Sequence, residues 1–63
     1  MSLTYKQSRR LVVKAIGRKN LSRVHMITVA GQIVISTGSK KLLEQINSSI
    51  AQLGAWNVFT TRA

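Results

Sequence analysis

Two short runs of β-branched and other apolar residues, joined by a two-residue link, form the clearest pattern along the chain. Residues 23–29 have the sequence Arg-Val-His-Met-Ile-Thr-Val and residues 32–37 have the sequence Gln-Ile-Val-Ile-Ser-Thr, with Ala30 and Gly31 between them. β-Branched residues favour strands, and a two-residue link that contains glycine is typical of a tight hairpin turn. The pattern predicts a β-hairpin over residues 23–37.

The next segment carries apolar residues at the spacing of an α-helix, which predicts a helix over residues 40–53. Ser39 is a suitable N-cap, because its hydroxyl can accept a hydrogen bond from a free backbone amide of the first turn. Gly54 suits the left-handed residue that ends many helices. The apolar stripe consists of Leu42, Leu43, Ile46, Ile50 and Leu53.

Residues 55–61, with the sequence Ala-Trp-Asn-Val-Phe-Thr-Thr, predict a final strand. Trp56 and Val58 would face one side of this strand and Phe59 the other. Large apolar side chains are usually buried. We therefore expect Trp56 and Phe59 to close a small core over the helix.

The N-terminal segment fits two structures. A strand over residues 10–16 followed by a turn at residues 17–20 would place alternate apolar side chains on one face. A helix that begins near Thr4 would also gather apolar side chains on one face. The strand is preferred because the adjacent β-branched residues Val12 and Val13 lose rotamer freedom in a helix. Residues 1–3 carry no pattern and are assigned no role.

Together these elements predict a single α+β domain over residues 1–63, in which a small antiparallel sheet packs on one amphipathic helix. The predicted order is βββαβ, with αββαβ as the alternative. A chain of 63 residues buries only about 60% of its unfolded surface. Small domains with so little core are often stabilised by disulfides, metals or oligomerisation. The chain has no Cys, one His and one carboxylate, so we expect a homodimer and no metal or other cofactor.

The charge is strongly unbalanced, since the chain contains ten Lys and Arg residues but a single acidic residue, Glu44. Its net charge is +9. Seven of the ten basic residues lie in the first 23 positions. Ordinary solvated surfaces mix both signs of charge, so a polyanion, DNA or RNA, is the expected partner. The candidate binding residues are Lys6, Arg9, Arg10, Lys14, Arg18, Lys19, Arg23, Lys40 and Lys41, together with Tyr5 as a ring on which a base can stack.

Lys40 and Lys41 form a separate signal at the start of the predicted helix. The positive end of a helix dipole disfavours cations in the first turn, whereas amides and lysines together suit a phosphate group. Residues 37–41 therefore predict a local phosphate site. The alternative is that both lysines are simply exposed, because the penalty at a surface is only about 0.3–1 kcal/mol each.

The run over residues 32–46, a β-branched strand followed by Gly38 and an amphipathic helix, resembles the final strand, loop and helix of a KH domain. Residues 17–20, Gly-Arg-Lys-Asn, are similar to the GxxG loop that clamps nucleotide backbones in that family. Asn20 occupies the position of the second glycine, and residues 21–29 are β-branched where a helix should follow. The chain is therefore not assigned to this family.

Several functions are excluded by the residues that the chain lacks. Catalysis by paired carboxylates or by a Cys nucleophile is impossible with one carboxylate and no Cys. No apolar run approaches the roughly 18 residues of a membrane helix or the core of a secretion signal. We expect a cytoplasmic protein that does not bind membranes.

Three functional classes remain. The preferred one is a small, non-enzymatic nucleic-acid-binding protein, for example a viral or plasmid accessory factor, that contacts phosphates through its basic N-terminal surface. The second is an interaction module or inhibitor that docks on an acidic partner. The third is a toxin-like ribonuclease, in which His25 with Arg23, or Tyr5 with neighbouring cations, would assist attack by the RNA 2′-hydroxyl.

Overall fold

The computed structural model describes residues 1–63, which form a three-stranded sheet with two α-helices packed on one of its faces. The predicted α+β class is confirmed. The predicted order βββαβ is wrong, because the first element is a helix and a 3-10 helix follows it. The elements are α1 (Tyr5–Ile16), the 3-10 helix (Arg18–Arg23), β1 (Val24–Val29), β2 (Gln32–Thr37), α2 (Lys40–Leu53) and β3 (Val58–Arg62).

Helix α1 replaces the strand that we predicted over residues 10–16. A capping box fixes its start, since the Thr4 hydroxyl accepts from the Gln7 amide at 3.2 Å and the Gln7 side chain accepts from the Thr4 amide at 2.9 Å. Ser8, Val12 and Ile16 are buried on the side that faces the core. The helix penalty of two valines is a few tenths of a kcal/mol each. Burial of this stripe and the capping box outweigh it.

The hairpin is confirmed, with β1 and β2 joined at Ala30 and Gly31. Both turn residues have positive φ, 51° and 80° respectively, as a type I′ turn requires. Helix α2 has the predicted bounds. The Ser39 hydroxyl accepts from the Leu42 amide at 3.3 Å, and Gly54 ends the helix in the left-handed conformation.

The sheet is mixed rather than antiparallel. Its order is β1-β2-β3, with β1 antiparallel to β2 and β3 parallel to β2. The parallel pair arises because α2 carries the chain back along the sheet, so that β3 starts at the same end as β2. Strand β3 begins at Val58 and is shorter than the predicted strand over residues 55–61.

Residues 55–57 bind the N-terminal segment instead of extending β3. The buried Asn57 side chain accepts from the Leu3 amide and donates to the Leu3 carbonyl, both at 2.8 Å. The Trp56 amide donates to the Met1 carbonyl at 3.0 Å. Leu3 is part of the hydrophobic core, so the first three residues, to which the sequence assigns no role, contribute to the fold.

The core lies between the sheet and the helices, and the expectation that Trp56 and Phe59 close it is wrong. Their exposed fractions are 67% and 46%. Phe59 points to the uncovered face of the sheet because it alternates with the buried Val58. Ala55 and Asn57 occupy the buried positions on either side of Trp56.

Candidate nucleic-acid interface

The outer side of α1 carries a cluster of cations that we call the basic face. Its residues line a shallow depression of about 430 Å³. Five of the ten basic residues of the chain contribute to it, and Val13 is the one apolar member. The basic face consists of Lys6, Arg9, Arg10, Lys14 and Arg18, with Val13 among them.

The helical register of α1 explains this grouping. The buried residues Ser8, Leu11, Val12 and Ile16 take the core side, so the cations of α1 fall on the solvent side, where all of them are exposed. Lys6, Arg10 and Lys14 follow one another at intervals of four residues. Like charges at this spacing destabilise a helix by about 0.2–0.5 kcal/mol per pair. An anion bound across them would remove this repulsion.

A groove between α1 and α2 adjoins the basic face and shares Arg10 and Lys14 with it. Its volume is about 600 Å³. The α2 wall carries no charged side chain, so the positive potential of the other wall meets no carboxylate there. The groove is lined by Leu3, Gln7, Arg10, Leu11, Lys14, Ser49, Gln52 and Leu53.

The groove therefore adds Gln7, Ser49 and Gln52 to the candidate binding residues chosen from the sequence. The strand interpretation of the N-terminal segment gave no reason to consider Gln7. The sequence did contain a signal for the other two, since the exposed side of α2 after Glu44 carries amides and hydroxyls instead of the charges that are usual on such faces.

A third depression, of about 270 Å³, lies where the 3-10 helix meets the start of α2. It brings Arg23 and Lys41 together although they are distant in sequence. Asn20 also lines it and donates from its side-chain amide to the Ile16 carbonyl at 2.9 Å. This hydrogen bond gives Asn20 a structural role at the end of α1.

The start of α2 retains free backbone donors. The amide of Ser39 donates to the Thr37 hydroxyl at 3.2 Å, and the amides of Leu42 and Leu43 bond to Ser39. The amides of Lys40 and Lys41 have no acceptor within the protein. The local phosphate site remains a prediction that these two donors support.

The remaining candidates are scattered. Lys19 and Lys40 are exposed but line none of the three depressions. Tyr5 lies in the first turn of α1, on the helical side of the sheet, and is half exposed. His25 lies on the uncovered face of β1, opposite Ser36. The two alternative candidates for RNA cleavage, His25 and Tyr5, therefore lie on opposite sides of the sheet.

No three His, Cys, Asp or Glu side chains lie close enough together to hold a metal ion. Neither helix has the length and apolar character that crossing a membrane requires. Comparison with protein-family models, with curated proteins and with solved structures finds no match to this chain.

Proposed function

We propose that the protein binds nucleic acid through the basic face of α1 and the adjoining groove. The observation that carries this proposal is the depression lined by five cations in a chain with a single carboxylate. The protein itself cannot neutralise such a cluster. Phosphate groups can, and the counterions that they release drive binding.

The dimensions of α1 suit a phosphate backbone. Lys6 and Lys14 are eight residues apart, which corresponds to about 12 Å along a helix. One strand of a duplex carries a phosphate about every 3.4 Å of axis, so three or four phosphates lie within this length. Contacts of this kind fix a protein on a backbone without reading its bases. Binding to both DNA and RNA is therefore expected, in the intracellular setting where both are found.

The test is a fluorescence-anisotropy titration of labelled duplex DNA and duplex RNA at several salt concentrations. The logarithm of the association constant should fall linearly with the logarithm of the salt concentration, with a slope of about −0.9 for each neutralised phosphate of B-DNA. Contacts to three or four phosphates would make the slope about −2.7 to −3.6. Absence of salt dependence between about 50 and 200 mM would refute the proposal.

A matched pair of variants locates the site. Arg10→Gln removes a cation that lines both the basic face and the groove, and should reduce the magnitude of the salt slope by about 0.9. Arg62→Gln removes an exposed cation on β3, outside all three depressions, and should leave the slope unchanged. Equal effects of the two variants would show diffuse attraction and no defined site. Labelled RNA should stay intact throughout, and its cleavage would contradict a non-enzymatic role.

The groove between α1 and α2 supports a second candidate function, docking on an acidic protein. Its exposed apolar residue Leu53 lies with the cations Arg10 and Lys14 in one groove. An amphipathic acidic helix could bury apolar side chains there and pair its carboxylates with the rim. The test is affinity purification after nuclease treatment. One acidic partner, retained by the protein and lost with Leu53→Lys, would favour this function.

A further inference from the structure

The face of the sheet that the helices leave uncovered carries a row of exposed apolar side chains. Ile27 of β1 pairs with Val34 of β2, which pairs with Phe59 of β3. Ile27 and Phe59 are exposed, and Val34 between them is partly buried. Val29, which is 52% exposed, extends the apolar surface along β1. We call this surface the open sheet face.

The open sheet face carries no Lys, Arg, Asp or Glu. Its other strand positions are His25, Ser36 and Thr61, which form the neighbouring row, and Gln32 opposite Val29. The one cation within a strand, Arg62, pairs with the buried Thr37 and therefore belongs to the side of the helices. In a chain of charge +9, one broad surface thus carries no Lys or Arg and is apolar along the row of Ile27, Val34 and Phe59.

We propose that the open sheet face is the surface through which two copies of this chain associate. Nucleic acid has no cation to bind on this face. Two copies of the face can approach each other without electrostatic repulsion, because neither carries a charged side chain. Flat apolar faces of two sheets pack about 10 Å apart. A dimer through the Ile27, Val34 and Phe59 row would cover the exposed side chains of Ile27 and Phe59 on each sheet.

The distances between charges favour this face over the helical side for self-association. With the sheets about 10 Å apart and a helix layer about 10 Å beyond each of them, the two basic faces lie roughly 30 Å from each other. This distance is about three Debye lengths at 0.1 M salt, so repulsion between them is largely screened. Contact through the helices would instead bring the two sets of cations against one another.

The interface that a dimer requires is a modest share of the surface of this chain. A stable interface buries roughly 800 Å² per partner, which is less than a fifth of the accessible surface of 4312 Å². The core contains only ten buried apolar residues, so additional burial at the sheet would contribute substantially to stability.

This arrangement changes what the proposed nucleic-acid function can achieve. In a dimer joined at the sheets, the two basic faces point in opposite directions. Such a dimer holds two nucleic-acid segments together and does not extend one track along a single segment. This consequence rests on the proposed function, whereas the association itself does not.

Sedimentation equilibrium of protein freed of nucleic acid by a high-salt wash tests the association directly. At about 0.1 mM protein the expected mass is twice the 7.0 kDa of one chain. Ile27→Lys and Phe59→Lys place a cation in the centre of the interface and should weaken association at least tenfold, by order of magnitude. Leu53→Lys is the matched control, because Leu53 is exposed to a similar extent but lies in α2; it should leave the mass unchanged.

Salt supplies a second readout, with opposite signs for the two proposals. Added salt should leave the dimer unchanged or strengthen it, while it weakens nucleic-acid binding. Circular dichroism establishes whether each variant is folded. If a lysine variant does not fold, Ile27→Thr or Phe59→Thr takes its place, because threonine retains strand propensity.

Three results would overturn the association. The first is a monomer at about 0.5 mM protein. The second is a dimer that the Ile27 and Phe59 substitutions leave unchanged. The third is a monomer whose binding to a single-stranded oligonucleotide is lost with Phe59→Thr, which would assign the open sheet face to base stacking. If the dimer forms but the salt slope is absent, the association stands and the nucleic-acid function fails.

Discussion

At the scale of single residues, Asn57 illustrates how one polar side chain can join two distant parts of a small fold. Its amide makes both hydrogen bonds that a neighbouring strand would make to Leu3, and it is 4% exposed. Loss of this side chain would leave the amide and the carbonyl of Leu3 without partners in a site from which water is largely excluded. Such groups are costly when their partner is removed.

Asn57→Ala should therefore lower the free energy of unfolding by about 2–4 kcal/mol. Asn47→Ala is the control, because the Asn47 side-chain oxygen also accepts a hydrogen bond, from the Thr60 hydroxyl at 2.6 Å, but in an exposed position of α2. Its removal should change stability by less than about 1 kcal/mol. Urea denaturation followed by circular dichroism measures both values. Similar losses in the two variants would show that the bonds to Leu3 contribute little.

Composition could not have revealed this role of Asn57 or the exposure of Trp56. Size and hydropathy predict that Trp56 is buried and Asn57 exposed, and the structure has the reverse. The outcome depends on where residues 1–3 lie, a contact between positions 54 apart in sequence. Local patterns carry no information about such a contact, whereas the caps at Ser39 and Gly54, which depend on neighbouring residues, were predicted correctly.

At the scale of elements, the hairpin contains a residue that is poorly suited to its conformation. Ala30 has φ of 51°, a region that costs a residue with a Cβ atom about 1–2 kcal/mol. Asn tolerates this region because its side chain hydrogen-bonds locally, and it is favoured at this position of a type I′ turn.

Ala30→Asn should raise the free energy of unfolding by about 1 kcal/mol. Ala51→Asn is the opposite case, because Ala51 is exposed within α2. There the same substitution should lower stability by about 0.5 kcal/mol, owing to the weaker helix propensity of Asn. Thermal unfolding of both variants measures the difference. A destabilising Ala30→Asn would show that the turn is not type I′ in solution.

The elements also show where sequence patterns were sufficient and where they were not. The hairpin and α2 were predicted because their periods of two and of 3.6 residues are each sustained along the element. For residues 5–16 the two periods overlap, and the pair Val12 and Val13 favoured the strand. The capping box at Thr4 and Gln7 was the better indicator, because it identifies a helix start without reference to the apolar pattern.

At the scale of the whole molecule, the two layers have different electrostatic character. The helical layer carries the basic face, and the outer side of the sheet carries none of the charge. The uneven charge could be seen in the sequence, since most basic residues lie before β1. The confinement of the charge to one layer could not be seen in the sequence. It depends on α1 being a helix and on the alternation of side chains along β3, and the parallel pairing of β3 was not evident from the sequence.

The basic face should lower the free energy of unfolding while it enables nucleic-acid binding. A substitution of Lys6 can distinguish these two effects from a simple loss of structure, because it should raise stability and weaken binding. Lys6 lies in the first turn of α1, where the helix dipole disfavours a cation, and four residues before Arg10. Lys6→Gln should therefore raise the free energy of unfolding by about 0.5–1 kcal/mol at low salt, while weakening nucleic-acid binding. Lys14→Gln is matched to it, because Lys14 lines the same depression but lies in the last turn, where the dipole favours a cation. It should weaken binding equally and give no gain in stability, as thermal unfolding and anisotropy will measure. If Lys6→Gln destabilises the protein, or binds nucleic acid as tightly as the unmodified chain, the basic face does not have the role proposed for it.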